Sequence, residues 1–239
     1  MCGRFVLAMP ADVIKELFNL AVFDERLLPP RYNIAPTQPI VVIRQGFDGA
    51  EGVPMRWGFL PSWVKDTTRF PLLINARAED IREKPAFRNA IRRRRCLVPA
   101  SGFYEWQARG KGPKQPYWIA PKAGGPVAFA GIWETWIGTD GSEIDTAAII
   151  TVAAEAPLDE VHHRRPAMIA PENFALWLSG EETTDAALSI LTDLGAETLQ
   201  ATPVSRRVNR VADDDPGLIE PVSGEEEAPP AKPVQQRLL

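Results

Sequence analysis

The spacing of apolar and polar positions predicts four helices in this chain. They cover residues 9–20, 83–95, 171–180 and 183–194. The first repeats apolar side chains at helical intervals behind Pro10 and Asp12, which favour the first turn of a helix. The second has Pro85 near its start and the arginine run 92–95 at its end, where the helix dipole favours positive charge. We therefore expect that run to be a solvated helix end.

Short β-rich runs, most of them bounded by glycine, proline or aspartate, lie between these helices. The predicted strands cover residues 39–44, 55–60, 95–106, 115–120, 126–136 and 145–154. Because strands outnumber helices and do not alternate regularly with them, a doubly wound sheet is not expected. The pattern favours an α+β fold: a single domain built on a mostly antiparallel, barrel-like β-sheet with flanking helices.

The composition is that of an ordinary globular domain up to about residue 222. Of the 239 residues, 45% are hydrophobic and 24% are charged, which suffices for one sizeable core. Residues 223–239 read SGEEEAPPAKPVQQRLL, a segment that cannot form a core. We therefore expect one domain over residues 1–222 and a disordered acidic, proline-rich tail over residues 223–239.

The net charge of −4 does not exclude a polyanionic partner, because the charge is unevenly distributed. Seven acids and two bases from residue 212 onward contribute −5, which leaves the rest of the chain at +1. The sequence contains no run of about 18 apolar residues, and no basic segment leads into an apolar stretch at its N-terminus. A cytoplasmic protein with no membrane partner is expected.

The two cysteines, Cys2 and Cys96, have different interpretations. They lie far apart and form no C-x-x-C spacing, which argues against a metal site and against a disulfide framework. Cys96 stands in the apolar run CLVPA and is expected in the core. Cys2 follows Met1, and a methionine ahead of so small a residue is a good substrate for removal. The mature chain would then begin with Cys2.

An N-terminal cysteine carries an α-amine and a thiol on one carbon skeleton. The amine condenses with an aldehyde to a Schiff base, and the thiol closes on the same carbon to form a five-membered thiazolidine. Reference pKa values of about 8 for the amine and about 8.5 for the thiol make both groups reactive near neutral pH. Such a terminus suits aldehyde capture or amide chemistry. From the first residues alone, a Cys2 that is merely tolerated is an equal alternative.

Two proline-containing segments offer amide and aromatic groups to a ligand. Asn33, in PRYNIAPTQPI, is expected in a loop before a strand. In RWGFLPSWVKD, Trp57 and Trp63 are separated by a turn-forming glycine and proline. Tryptophans that project from such loops stack on unpaired bases, although core packing is their commoner role. Trp57 is therefore expected in the core, whereas for Trp63 the core and a stacking surface are both open.

Several polar residues are candidates for one site. Asn75 and Arg77 are two positions apart, so on an extended segment they would face the same ligand. Glu105 lies between two aromatic residues, where desolvation raises a carboxyl pKa and makes it a candidate proton donor and acceptor. The only histidines, His162 and His163, are adjacent; one of them would suit proton transfer at pH 7, and a surface pair is the alternative. Arginines that would hold a phosphate backbone, if they converge, are Arg4, Arg77, Arg164, Arg165 and the run 92–95.

Seven blocks of sequence, taken in order, resemble the motif series of the SRAP family (SOS-response-associated peptidase). The blocks are MCGRF, RYNIAP, WGFLPSW, INARAE, KPAFRNAIRRRRCLVPASGFYEW, HHRRPAMI and PVSRRVN. The match covers about Cys2 to Val222. The resemblance implies a protein that recognises abasic sites in single-stranded DNA and links to them covalently, which shields the lesion.

The resemblance also implies roles for individual residues. Cys2 would form the crosslink, while Asn75, Glu105 and His162, rather than His163, would position the opened sugar and move protons. The residues expected to contact DNA are Arg4, Asn33, Trp63, Arg77 and Arg164. Weak strand-breaking lyase activity and self-removal of the initiator methionine are further expectations. No cofactor or metal is implied, and a monomer that associates with the nucleoid when bound to DNA is expected.

Two other functions remain open at this point. Class II glutamine amidotransferases also begin Met-Cys-Gly, so an N-terminal-nucleophile amidohydrolase is one alternative, although no synthetase domain follows here. A non-covalent single-strand binder, in which Cys2 is incidental, is the other. In addition, Val64 stands where some members of the resembled family carry a second tryptophan, which reduces the expected base stacking.

Overall fold

The strands form two sheets that share one core. The computed structural model describes residues 2–20, 23–24, 26, 29–110, 112–180, 183–192 and 194–222. The first sheet contains β1 (Phe5–Leu7), β2 (Arg31–Ile34), β7 (Gly102–Gln107), β8 (Gln115–Pro121) and β12 (Leu199–Pro203). Its strand order is β12-β8-β7-β1-β2, and each pairing is antiparallel.

The second sheet closes on itself into a barrel. It contains β3 (Pro39–Gln45), β4 (Ala50–Trp57), β6 (Arg95–Ala100), β9 (Val127–Ile137) and β10 (Glu143–Ala153). The strands pair in the order β10-β4-β3-β6-β9, and β9 pairs in turn with β10. Two short strands, β5 (Asn75–Arg77) and β11 (Arg164–Pro166), pair with β10 and extend the sheet. Among the described strands, only β10 with β4 and β10 with β5 are parallel.

The helices are short. The α-helices are α1 (Ala11–Phe18), α2 (Ala90–Arg93), α3 (Phe174–Leu178) and α4 (Thr184–Ser189). Single 3-10 turns cover Ala78–Asp80, Leu158–Glu160, Pro171–Asn173, Ile190–Thr192, Ala196–Thr198, Arg206–Asn209 and Pro216–Ile219. None of the helices in the described ranges has both the length and the hydropathy that crossing a membrane requires. The predicted α+β domain with a mostly antiparallel, barrel-like sheet is confirmed.

Aromatic side chains join the two sheets. Phe5, on β1, meets Trp57, on β4, edge to face with ring centroids 5.2 Å apart. Phe5 and Phe103 both pack edge-on against Phe129 of the barrel. Trp57 and Cys96 are completely buried, as the sequence predicts. This packing fixes the start of the chain against the barrel, since each buried aromatic contributes about 2–3 kcal/mol of transfer free energy.

The helix predicted over residues 83–95 is wrong over most of its length. Only α2, with residues 90–93, is helical, and Arg95 already belongs to β6. Arg95 is 3% exposed, and its guanidinium donates to the carbonyls of Trp177 and Ser179, at the end of α3. The prediction that the arginine run is a solvated helix end is therefore wrong for Arg95. This residue is buried because the partially negative carbonyl end of α3 compensates its charge.

The strand predicted over residues 95–106 is two strands that belong to different sheets. β6 stays in the barrel, whereas β7 pairs with β1 and β8. At Gly102 an added Cβ would lie 2.4 Å from the carbonyl oxygen of Ile119, so only glycine lets β7 pass this close to β8. This crossing carries Glu105 out of the barrel and places it beside the start of the chain.

Five short strands were not predicted: β1, β2, β5, β11 and β12. With three to five residues each, they are too short for an alternating pattern to identify them. Asn33, expected in a loop, lies in β2. The strand predicted over residues 55–60 is displaced, because β4 spans Ala50–Trp57. The remaining predictions hold in outline, since α1, α3 and α4 fall within the predicted helices. Met1 and the tail predicted over residues 223–239 lie outside the described residues.

Candidate active site

Cys2 lies directly ahead of β1, next to the strand that carries Glu105. Phe5 of β1 is paired with Phe103 of β7, and the Tyr104 N–H donates to the Arg4 carbonyl at 2.9 Å. Because the pairing is antiparallel, the residues before Phe5 run alongside those after Phe103. The short first strand and the crossing at the start of β7 thus bring Cys2 and Glu105 together.

The thiol of Cys2 is held in its neutral form. Its side chain is completely buried, and this burial raises the pKa of the thiol. The nearby Glu105 carboxylate raises that pKa further, whereas the backbone N–H of Arg4 partly opposes the shift. A thiol in this environment needs a proton acceptor before its sulfur becomes a good nucleophile.

Glu105 is a buried carboxyl with a perturbed proton affinity. It is 3% exposed, and burial raises its pKa, as its position between Tyr104 and Trp106 predicts. The Nδ1 atom of His162 lies 3.8 Å from its Oε1 atom. The charge of His163 acts in the opposite direction and lowers the pKa of Glu105. Glu105 and His162 are therefore close enough to exchange a proton through one intervening water or after a small rotation of either side chain.

His162 is positioned by the backbone of the strand that follows it. Nδ1 of His162 lies 3.1 Å from both the backbone nitrogen and the carbonyl oxygen of Arg164, so it accepts from the one or donates to the other according to its tautomer. Burial lowers the pKa of His162, which keeps the ring neutral at pH 7. His163 is exposed, and its ring lies against that of His162 with centroids 4.4 Å apart. Of the two histidines, His162 is thus the one that faces Glu105.

Asn75 and Arg77 share the short strand β5, as expected for an extended segment. The Asn75 amide donates to the carbonyl of Ile149 at 3.4 Å. Its Oδ1 atom is buried and accepts no hydrogen bond from any described residue, which leaves one acceptor for a bound molecule. Arg77 is exposed, and its charge contributes to lowering the pKa of His163 after the larger effect of His162. β5 therefore borders the histidine side of the site.

A groove of about 610 Å³ leads away from Asn75 and Arg77. Trp63 and Phe70 line it with apolar surface, and Lys84 adds a positive charge. Trp63 is 57% exposed and touches Phe70 edge to face, with ring centroids 5.7 Å apart. The sequence left open whether Trp63 lies in the core or on the surface. The structure has it on the surface, where its ring is accessible.

Arg164 is buried, and both terminal nitrogens of its guanidinium are bound by the protein. Its guanidinium forms a two-pronged ion pair with Glu79, at 2.5 and 3.0 Å. The same guanidinium donates to the carbonyl and the hydroxyl of Thr151. Sequence reasoning named Arg164 but not these two partners. In the sequence, the only indication of the pair between Arg164 and Glu79 was an acidic residue two positions after Arg77, in INARAED.

The partly buried Arg4 and the buried Asn33 form a second pair on the other side of β1. Nη1 of Arg4 donates to Oδ1 of Asn33 and to the carbonyl of Val208, both at 2.6 Å. The Asn33 amide donates in turn to the carbonyls of Val208, Arg210 and Asp213. Since Asn33 is only 1% exposed, its side chain is used in holding Arg4 and the 208–213 segment.

The structure thus brings together Cys2, Glu105 and His162, with Asn75 and Arg77 at the border of the groove. Trp63 stands along that groove, and Asn33 lies apart from it behind Arg4. Within the described residues, no cluster of three or more histidine, cysteine, aspartate or glutamate side chains is arranged to hold a metal ion. The arrangement suits proton transfer around a thiol.

Comparison with known proteins gives matches over most of this chain. Residues 1–211 match the family model described as SOS response associated peptidase (SRAP). The chain is 38% identical over 223 residues to the abasic site processing protein YoqW of Bacillus subtilis (strain 168), covering 92% of this chain and 99% of that protein. It is 32% identical over 232 residues to the abasic site processing protein YedK of Escherichia coli (strain K12), covering 93% of this chain and 100% of that protein.

A solved structure supports the same relationship. A protein from Bacteroides thetaiotaomicron has a TM-score of 0.79 and 27% sequence identity to this chain, with 92% of this chain and all of that one covered. The resemblance first recognised in seven sequence blocks is therefore confirmed by the family model, by the relatives and by the fold. The chain belongs to the SOS response associated peptidase (SRAP) family.

Proposed function

We propose that this protein processes abasic sites in single-stranded DNA, and that Cys2 captures the lesion as a covalent thiazolidine. The observation that carries the proposal is the convergence of Cys2, Glu105 and His162 at the seam between the two sheets. The names of the relatives, abasic site processing proteins, support the same substrate.

The reaction requires that Met1 be removed, so that Cys2 carries the terminal amine. An abasic deoxyribose equilibrates with an open-chain aldehyde. The amine adds to its carbonyl carbon, and loss of one water gives an imine. The sulfur then bonds to the imine carbon while the thiol proton passes to the nitrogen, which closes the five-membered ring.

Glu105 and His162 have complementary proton-transfer properties for these steps. A carboxyl whose pKa is raised by burial donates a proton to the departing hydroxyl and takes one from the thiol more readily than an exposed one. The His162 ring, kept neutral by burial, accepts a proton. The Oδ1 atom of Asn75, which accepts no hydrogen bond from the described residues, would accept one from a sugar hydroxyl.

Binding is assigned to the groove and to the arginines around the site. Arg77, which lines the groove, and Arg164, which is paired with Glu79 two residues after Arg77, would hold phosphates. Arg4, positioned by Asn33, would do so on the other side of β1. Trp63 offers an exposed ring for stacking on a base or for wedging against the strand. A single strand bound in this way would carry its lesion over Cys2.

Two side activities follow from the same chemistry. An imine that does not close to the ring permits β-elimination, so weak strand cleavage at the lesion is part of the proposal. Attack of the Cys2 thiol on the carbonyl of Met1 would move the methionyl group from the Cys2 nitrogen to its sulfur, and hydrolysis of this thioester by water would release methionine and free the amine and the thiol. The Cys2→Ala variant, made without a methionine aminopeptidase, should then retain Met1 by intact mass.

The test uses an oligonucleotide with one abasic site and a denaturing gel. Wild type should give a shifted band, whereas Cys2→Ala should give none, and Cys96→Ala serves as the thiol control because Cys96 is buried in the barrel. Cys2→Ser keeps the amine, so its adduct should appear only after borohydride reduction. A form that retains Met1 should not crosslink. A wild-type complex that dissociates on denaturation would indicate a non-covalent binder, and ammonia released from glutamine would indicate an amidohydrolase.

A further inference from the structure

Glu79 lies between two of the arginines to which the proposed function assigns phosphates. It follows β5 in the Ala78–Asp80 turn, and its side chain is 55% exposed. The hydrogen bonds from Arg164, with a smaller contribution from the charge of Arg77, hold the pKa of Glu79 below its ordinary value. The carboxylate is thus a solvent-accessible negative charge at the position toward which both arginines attract a phosphate.

The contact between Glu79 and Arg164 has the geometry of a phosphate contact. Each carboxylate oxygen pairs with a different guanidinium nitrogen, at 2.5 and 3.0 Å, as two oxygens of a phosphate do. Nη2 of Arg164 also donates to the carbonyl and the hydroxyl of Thr151, Nε is buried, and the Arg164 side chain is only 9% exposed. A DNA phosphate therefore reaches this arginine through the place that Glu79 occupies.

We propose that Glu79 is a specificity-determining residue, whose carboxylate competes with DNA phosphates for Arg164 and so weakens binding to undamaged single strands. This inference rests on the proposed function, since it takes Arg77 and Arg164 as phosphate contacts. An undamaged strand must displace the carboxylate without forming a bond to Cys2. A strand with an abasic site is retained in addition by its bond to Cys2. Glu79 thereby increases the ratio of capture at lesions to binding elsewhere.

The experiment compares two variants that lose the same charge. Glu79→Gln keeps the size of the side chain and removes its charge. Glu83→Gln is the matched control, because Glu83 is exposed a few positions further along the same segment and forms no contact with Arg164. Affinity for an undamaged single-stranded oligonucleotide is measured between about 50 and 200 mM salt, where phosphate contacts dominate.

We expect Glu79→Gln to bind at least about twofold more tightly at the lower salt concentration, with a salt slope steeper by about 0.7, the value for one additional phosphate contact on a single strand. Glu83→Gln should match wild type. Glu79→Ala should change in the same direction as Glu79→Gln, and circular dichroism confirms the fold of each variant.

Affinity of Glu79→Gln equal to that of wild type overturns the inference. Weaker binding overturns it as well, because it assigns Glu79 to holding Arg164 in place for DNA. These measurements use undamaged DNA, so they do not depend on crosslinking. Failure of wild type to crosslink would refute the proposed thiazolidine but leave the competition at Arg164 intact.

Discussion

Glu105 lies in the first sheet and His162 in the loop that leads into β11 of the second, yet Nδ1 of His162 lies 3.8 Å from Oε1 of Glu105. Glu105 lies on β7, next to the first strand, whereas His162 immediately precedes β11 on the barrel. The contact therefore forms only when the two sheets pack on each other. Cys2, buried beside Glu105, completes the group at this seam.

The raised pKa of Glu105 makes stability depend on pH. Because the folded-state pKa lies above the unfolded one, the protonated carboxyl contributes stability that is fully present below its ordinary pKa and is lost as pH rises through the raised value. The Glu105→Gln variant does not lose stability in this way, because glutamine does not titrate. Its free energy of unfolding, measured in urea, should therefore increase relative to wild type between acid and neutral pH, while its crosslinking rate falls. A difference independent of pH would contradict the burial effect, and Glu143→Gln provides the control for an exposed carboxylate.

Asn33 should affect DNA binding only through the fold. Asn33→Ala removes an amide that serves three carbonyls and Arg4, so it should destabilise the protein by about 1–3 kcal/mol. DNA affinity should fall with it, because Arg4 loses its support. Urea unfolding and DNA titration of the same sample check both effects. Lower affinity with unchanged stability would instead make Asn33 a direct contact.

Substitution of Trp63 should weaken DNA binding, whereas substitution of Trp57, in the same WGFLPSW block, should lower stability. Trp63→Ala removes an exposed ring, so stability should change by less than about 0.5 kcal/mol. Binding to single-stranded DNA should weaken by about 1–3 kcal/mol, the value of one stacked base. Trp57→Ala removes a fully buried ring that also donates to the carbonyl of Ile74, and should destabilise the protein by about 3–5 kcal/mol. Equal affinities of Trp63→Ala and wild type would remove Trp63 from the DNA surface.

Arg77 should contribute one phosphate contact. Arg77→Ala should weaken binding to all single-stranded sequences alike and reduce the slope of log affinity against log salt by about 0.7. Arg92→Ala, an exposed arginine on α2, is the control and should leave the slope unchanged. An unchanged slope for Arg77→Ala would show that this guanidinium meets no phosphate.

Local patterns determined the long elements and the buried residues within them. The apolar runs that became β3, β9 and β10 are long enough to bury a strand on their own, so they were visible in the sequence. The burial of Trp57 and Cys96 and the raised pKa of Glu105 follow from their immediate neighbours, which are apolar or aromatic. The motif blocks, read in order, identified the family without any structure.

Tertiary structure decided what depends on partners distant along the chain. The short strands β1, β5 and β11 have too few residues to carry a pattern, and their hydrogen bonds come from β7 and β10. Arg95 and Arg164 are buried because carbonyls or a carboxylate more than eighty residues away compensate their charge. The same holds for the meeting of Cys2, Glu105 and His162, since only the packing of one sheet on the other sets the distance between side chains that the sequence places far apart.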